Sequence, residues 1–576
     1  MLEPSKSKCI KLLSYVVIVS VFLLYYIHLT ISIVTLFVSS LINAQLDFGE
    51  GFILGNAWRL VKGINIYDPR NLMNVIPYPP LFYIVVSPLT ILARDIALPL
   101  CRLISLIFYI TAVSLSVSIG RIIVKPSNKW LDFIFTFISF SVFFTWGGIA
   151  SWCMYCRVDG LALLFNTLAL YFIIKTLIKK DEKHRYLYIT FASVFSTLAL
   201  LTRQQYFTLV ITAFIIALIN RKDKKFSTYL NMYLVITLSV TTILFLLINI
   251  LTKNGFLLHI LYLNAVQISP ENIEFSLSRI ISKPVVSKSF ILLFMTLLAT
   301  FIYRVYLSDS NRNSLYFIHV YFSLAIILNV VLQVLKPGAA SNYVLETLIL
   351  IVMETYIFLT AVSTNKLKTL TLLGLLTITL LLSPSPISQP ASFSLIYEKE
   401  TCQLSLIISK IPNNYLIISD DVYPMYLANR TTIVETFITS QLIKRNIITN
   451  RTLINMANNN LLVVIKSIYF TPRLPWLIRY LLEKGYKTNN LTNFIIYYPS
   501  TLSINLERHE QRTCSSFLNY LKVSMIPNFS LFSKLSQSLS LLNILILIGI
   551  LYMIISALNK LNIYSDKKSY TTYHVI

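Results

Sequence analysis

The chain has 576 residues, of which 56% are hydrophobic and 13% charged, and its formal net charge is +25. A charged fraction about half the soluble norm, together with several apolar runs of the roughly 18 to 20 residues that cross a bilayer, excludes an ordinary soluble domain and implies a polytopic membrane protein. The positive charge does not point to nucleic acid. It falls in short clusters between apolar runs, among them Arg121, Lys125 and Lys129, Lys179 to Arg185, Arg221 to Lys225, and Lys560, Lys567 and Lys568, which is how cytoplasmic loops look under the positive-inside rule.

In chain order, the first apolar run, Leu12–Val38, is too long for a signal peptide and has no small-residue cleavage site, so it is expected to stay as a helix. Further spans are expected near Ala97–Gly120, Trp130–Ala150, Gly160–Ile178, Tyr186–Leu201, Tyr206–Asn220, Tyr229–Leu251, Phe290–Tyr306, Leu315–Leu335, Tyr343–Val362, Leu367–Pro384 and Leu539–Leu558. The expected fold is therefore an all-α polytopic membrane domain of about twelve transmembrane helices, with a small extracytoplasmic α/β domain near the C-terminus. Pro80–Leu92 is too short to span and would invert the charge pattern if counted, so it reads as a helix lying in the outer interface. Both termini then lie inside, and Asp47, Glu50, Arg157, Asp159, Arg203, Asn342 and Glu346 lie outside.

The expected domains are residues 1–384, containing a first outer loop at 43–96, then the outer domain at 385–537, then a last span and cytoplasmic tail at 538–576. The 385–537 segment regains charge, Asn and Thr. Its apolar runs shorten to strand length at Tyr415–Ser419 and Leu461–Ile465, and a helix is expected over Pro475–Lys484, with Pro475 suited to a first helical position. The four Asn-x-Ser/Thr sites of the chain, at Asn429, Asn450, Asn490 and Asn528, all fall here. Of the six cysteines, Cys402 and Cys514 bracket this segment and are candidates for a disulfide in an oxidising compartment. Cys153 and Cys156 share an outer loop at a spacing that suits a tight disulfide better than a metal site.

The first outer loop carries the chemistry. Asp47 and Glu50 stand three residues apart where an apolar span meets water, and carboxylates beside a bilayer are costly enough to be functional candidates. A Gly63-x-x-x-Tyr67 turn and a Tyr78-Pro79-Pro80-Leu81 segment follow. A plainer reading makes the two acids a helix cap or a solvated pair. Further outer-face groups weigh against it: Arg102, Arg157 with Asp159, Arg203 with Gln204 and Gln205, and Asn342-Tyr343 with Glu346. Arginines together with carboxylates make a phosphate-plus-base site.

This order of motifs resembles the GT-C superfamily of membrane glycosyltransferases, in particular protein mannosyltransferases and aminoarabinose transferases. The resemblance covers about residues 10 to 385. It rests on the acidic pair Asp47 and Glu50, the Pro79-Pro80-Leu81 helix start, Arg102 in the head of the next span, Arg157-Val158-Asp159 and Thr202-Arg203. The run Lys336, Gly338, Asn342, Tyr343, Glu346 resembles prokaryotic members. Tyr78 stands where relatives often have Lys or His.

The resemblance implies an enzyme that moves a sugar from a polyprenyl-phosphate donor to an acceptor hydroxyl of a protein, glycolipid or polysaccharide, with inversion, on the outer face of the cell membrane. Asp47 is the expected general base and Glu50 its catalytic partner. Arg102, Arg157 and Arg203 are the expected donor-phosphate ligands, and Tyr78, Asp159, Gln204, Asn342, Tyr343 and Glu346 the expected substrate contacts. No cofactor is implied with certainty; Asp47 and Glu50 leave a divalent cation open. The competing readings are a transporter or lipid flippase, supported by Glu354 and His28 within spans, and a membrane-anchored binding protein acting through its outer domain.

Overall fold

The computed structural model describes residues 32–124 and parts of 19–30, then 129–145, 151–179, 181–220, 224–265, 312–335, 341–362 and, with a few positions excepted, 391–467 and 474–502. The segments expected as spans at Phe290–Tyr306, Leu367–Pro384 and Leu539–Leu558, together with His28, Lys336, Gly338, Cys514 and Asn528, lie outside the described residues.

Helices dominate. The membrane part comprises α1 (Phe48–Val61), α2 (Leu81–Leu92), α3 (Ala97–Ile123), α4 (Lys129–Thr145), α5 (Asp159–Ile178), α6 (Glu182–Thr202), α7 (Thr208–Ile219), α8 (Lys224–Leu251), α9 (Arg312–Leu335) and α10 (Leu345–Val362). Among the described residues, four helices are long and apolar enough to cross a membrane: those over Arg94–Ile123, Asp159–Ile178, Glu182–Thr202 and Phe226–Leu251. Three shorter apolar helices are Leu81–Leu92, Thr208–Ile219 and Asn313–Asn329. The helix expected after Pro80 is present as the 12-residue α2. Side chains of α3, α5, α6, α9 and α10 interdigitate in one apolar core that includes Tyr109, Leu163, Leu200, Phe322 and Met353.

The segment expected as the first outer loop contains a helix that hydrophobic patterning did not reveal. Asp47 is the N-cap of α1: its side chain accepts from the Gly49 N–H, while the Glu50 side chain bonds back to the N-cap N–H, completing a capping box. Gly63 ends this helix at φ +70°, with Gly63 N–H donating to Leu60 and Ile64 N–H to Arg59. Glycine is suited to that left-handed position. The chain then runs through Tyr67, whose hydroxyl donates to the Tyr78 carbonyl at 2.7 Å.

Residues 391–502 contain α11 (Ala391–Lys410), β1 (Leu416–Ser419), α12 (Tyr423–Leu427), α13 (Thr436–Lys444), α14 (Arg451–Asn458), β2 (Leu462–Ser467), α15 (Pro475–Glu483), β3 (Lys487–Asn490) and β4 (Phe494–Tyr498). The sheet order is β1-β2-β4-β3, with β1 parallel to β2 and the other pairs antiparallel. Both strands and the helix read from the sequence are there, and β3 and β4 complete the sheet. This part shares one apolar core with α1, including Phe52, Ile53 and Tyr423, and polar contacts tie it to the 43–94 segment. Tyr423 hydroxyl donates to Asn43 Oδ1 at 2.6 Å, Trp58 Nε1 to Asn429 Oδ1 at 3.0 Å, and Arg94 to the Tyr426 carbonyl at 2.7 Å.

Candidate active site

The site is assembled where the N-terminal ends of α1, α3, α5 and α10 meet the C-terminal end of α6. Its base is a buried ion pair. Arg102, on the first turns of α3, donates to Glu50 from Nε (2.7 Å to Oε1) and from Nη2 (2.6 Å to Oε2), and to the carbonyls of Ile42 and Ala44 at 2.5 and 2.7 Å. Glu50 also accepts from the N–H groups of Leu46, Asp47 and Cys156 at 2.8, 3.1 and 2.9 Å. Both side chains are fully buried. Two expectations change on this geometry. Arg102 has its charge matched by Glu50 and its donors engaged by protein oxygens, so it has no free fork for a phosphate. Glu50 has both oxygens occupied, so it is neither a proton acceptor nor a cation ligand in this arrangement. The pair fixes the loop between the first span and α1.

Asp47 is placed differently. Its Oδ2 accepts from Gly49 N–H at 2.9 Å and from Arg157 Nη1 at 2.8 Å. Its Oδ1 makes no hydrogen bond among the described residues, and the side chain is 21% exposed. Gly49 permits this approach: a Cβ there would lie 1.4 Å from Arg157 Nη1. Arg157 Nη2 donates to the Tyr78 hydroxyl at 2.9 Å, and its guanidinium lies over Trp152 at 5.5 Å. The Tyr67–Tyr78 bond therefore positions the phenol that holds Arg157.

From Arg157 the charges alternate onward. Its Nε is 3.9 Å from Asp159 Oδ2, and Asp159 pairs directly with Arg203 Nη1. Asp159 opens α5, where a carboxylate suits the positive helix end. Asn342 Nδ2 donates to Asp159 Oδ1 at 3.3 Å, and the Arg203 guanidinium lies 4.9 Å over the Tyr343 ring. Gln204 Nε2 donates to the Pro77 carbonyl at 2.8 Å. Deeper, Glu346 accepts from Tyr321 (2.5 Å), Thr208 (3.1 Å) and Asn166 (3.3 Å). The structure thus joins Asp47, Tyr78, Arg157, Asp159, Arg203, Asn342 and Tyr343 through direct contacts, with Gln204 at the margin and Glu346 beneath.

The cysteines pair otherwise than their spacing suggested. Cys101 bonds Cys156, tying the residue before Arg102 to the residue before Arg157, and Cys153 is a buried free thiol. Burial pushes the Cys153 thiol well above its usual range, so it is inert. Cys402 is disulfide-bonded; Cys514 lies outside the described residues. Among the described residues no group of three or more His, Cys, Asp or Glu side chains is arranged to hold a metal ion. Glu354, the acid that supported a transporter, has its Oε1 3.0 Å from His319 Nδ1 on the neighbouring α9, so it is partnered within the bundle.

No protein-family model and no curated protein matches the sequence. Solved structures do. ArnT from Cupriavidus metallidurans, crystallised with undecaprenyl phosphate bound, superposes with a TM-score of 0.54 over 82% of this chain and 97% of that one, at 12% identity. Its apo form gives 0.53 over the same shares at 11% identity. At this level of identity the likeness is one of fold. The resemblance read from the sequence is thus joined by a fold shared with ArnT over most of the chain.

Proposed function

We propose that this GT-C-fold protein is an integral membrane glycosyltransferase that uses a polyprenyl-phosphate-linked sugar, with its site on the extracytoplasmic face. One observation carries the reading: Asp47, Arg157, Asp159 and Arg203 form a continuous chain of alternating charge, with one Asp47 oxygen free of hydrogen bonds among the described residues. Bound undecaprenyl phosphate in a structure of the same fold supports the choice of donor. The Cys101–Cys156 disulfide supports the sidedness, because structural disulfides belong to oxidising compartments. A site on that face has no nucleotide-sugar pool, so the activated sugar arrives on lipid.

In this reading the acceptor hydroxyl oxygen attacks the anomeric carbon opposite the phosphate. The carbon–oxygen bond to phosphate breaks, and the polyprenyl phosphate leaves with the electron pair. Asp47 Oδ1 takes the hydroxyl proton. The developing negative charge on the phosphate needs fixed positive charge rather than a proton, and Arg157 and Arg203 supply it. Attack from the far face inverts the anomeric centre. Glu50 and Arg102 act as positioning residues beneath Asp47. Residues 1–384 and 538–576 form the membrane part in this reading, and residues 385–537 an outer domain that docks on α1.

The test supplies purified protein in liposomes with radiolabelled polyprenyl-phosphate sugars and follows transfer to candidate protein, glycolipid and polysaccharide acceptors. Asp47→Asn keeps the side chain's shape and removes the base. It is expected to lower turnover by about 10² to 10⁴-fold, the usual contribution of a positioned base. Near-normal turnover in well-folded Asp47→Asn would remove Asp47 from the mechanism.

A further inference from the structure

The site holds polar atoms that this chemistry leaves unused. Tyr109 on α3 and Tyr206 in the turn after α6 are almost completely buried, and neither phenol hydroxyl has a hydrogen-bond partner among the described residues. Asn342 Oδ1 and Gln204 Oε1 are likewise buried and unpaired. Each such group costs about 1 to 3 kcal/mol of lost hydration, and orphaned buried groups are rare enough to call for an explanation.

Their position supplies one. The Tyr109 ring packs against Gly160, the neighbour of Asp159: a Cβ at Gly160 would lie 2.9 Å from Tyr109 Cε2. The Tyr109 hydroxyl lies within electrostatic reach of Cys153, Tyr206, Arg203 and Arg157. Tyr206 follows Arg203 in one turn, its N–H donating to the Arg203 carbonyl at 3.4 Å, and it interacts with Arg203 and Glu346. Tyr109, Tyr206 and Asn342 therefore lie beside the Asp159–Arg203 pair assigned to the phosphate in the proposed mechanism.

Their chemistry differs from that of a phosphate cradle. A phenol both donates and accepts, and the two amide oxygens only accept. Acceptors repel phosphate oxygens and match sugar hydroxyls. In the proposed mechanism the two arginines serve the phosphate, and the groups left over, Tyr109, Tyr206, Asn342 and Gln204, carry no charge to match an ionised substituent on the sugar.

Building on the glycosyltransferase reading, we propose that Tyr109 and Tyr206, with Asn342, bind the hydroxyls of the transferred sugar, and that this sugar is a neutral, hydroxyl-rich ring. Tyr109→Phe and Tyr206→Phe keep the ring and remove the hydroxyl. Because each hydroxyl is unpaired in the free protein, the thermal stability of these variants is expected to hold or rise. Two measurements are then made on the full-length protein. One is affinity for sugar-free undecaprenyl phosphate by displacement of a fluorescent lipid. The other is kcat/KM for polyprenyl-phosphate hexoses and pentoses and for their mono-deoxy analogues.

The expected result is unchanged affinity for the sugar-free lipid. It is joined by a loss of about tenfold in kcat/KM with the neutral sugar, the scale of one net hydrogen bond. That loss should disappear for the deoxy analogue lacking the partnered hydroxyl. Equal use of parent and deoxy donors by wild type and variants would overturn the proposal, as would a matching loss of affinity for the sugar-free lipid, or wild-type preference for a charged sugar. Failure of the wild-type protein to bind undecaprenyl phosphate at all would overturn the glycosyltransferase reading together with it.

Discussion

Replacing Glu50 should damage the protein through stability before chemistry. The carboxylate is fully buried, matches the buried Arg102 charge and accepts three backbone N–H groups. Removing one partner of a buried pair costs about 3 to 5 kcal/mol, because the other charge stays behind unmatched. In Glu50→Ala the N–H groups of Leu46, Asp47 and Cys156 also lose their acceptor, each at about 1 to 3 kcal/mol if water does not reach them. These terms are not additive, so the working figure is at least 3 kcal/mol. At about 1.4 kcal/mol per factor of ten, a detergent-solubilised Glu50→Ala protein should inactivate more than 10²-fold faster at fixed temperature, provided the pair is broken in the transition state for unfolding. Glu50→Gln keeps the Leu46 and Asp47 bonds in one amide orientation and should fall between. In a double-mutant cycle, Glu50→Gln with Arg102→Gln should be less damaged than the sum of the single changes, with a coupling of about 2 kcal/mol or more. The assay is residual folded protein after timed heating, with transfer measured on the surviving fraction. A Glu50→Gln protein as stable as wild type that has lost transfer would refute the reasoning and return Glu50 to the reacting groups.

Two further outcomes follow from neighbouring features. Removing the Cys101–Cys156 bond by Cys101→Ser with Cys156→Ser should cost about 2 to 4 kcal/mol and lower transfer at permissive temperature, because the loop carrying Arg157 loses its tie to α3; thermal inactivation and turnover read the two effects, and unchanged values in both would show the tie is dispensable. Burial pushes Asp421 up to about 7 against the bonds from the Tyr397 hydroxyl and the Tyr423 N–H. With the folded pKa raised, the folded state binds the proton more tightly than the unfolded chain, so this group's stabilisation should fall as pH rises from about 4 to 7 and level off above that. His259, which burial lowers to about 4, acts in the opposite sense below about pH 6.5, because it protonates only on unfolding. Asp421→Asn should flatten the drop, and a slope equal to that of wild type would place its origin elsewhere.

Much of the site was legible because its residue types are expensive where they stand. Arg157, Asp159 and Arg203 follow apolar spans, and a charge at such a point needs either water or a partner. What patterning could not supply was the partnering. Arg102 looks the same in sequence whether it faces a phosphate or, as here, Glu50. The helix Phe48–Val61 was hidden by three glycines among its first eight residues, which lower helix propensity. Its start signal, Asp47-x-x-Glu50, was visible but read equally well as a reactive pair. Cys101 and Cys156 are 55 residues apart, and only the packing of α3 against the 151–158 loop shows that they meet. Strand β3, Lys487-Thr-Asn-Asn, lacks apolar alternation because it is the sheet's edge strand, and its residues are largely exposed.

The capping and the catalytic readings of Asp47 and Glu50 are not alternatives, because the two acids divide the tasks. Glu50 spends both oxygens on Arg102 and on three backbone groups, which makes it a cornerstone that nothing else in the loop replaces. Asp47 spends one oxygen on the cap and on Arg157, and that leaves the second with a defined direction. A base held through only one of its oxygens can accept a proton on the other without losing its place. In the proposed mechanism the same Arg157 that orients Asp47 also serves the donor phosphate. Base and leaving-group cation are therefore fixed relative to each other by one hydrogen bond of 2.8 Å. Positional error in either propagates to both, so changes at Gly49, Tyr78 or Tyr67, none of which exchanges a proton with substrate in this scheme, should act on turnover through that single bond.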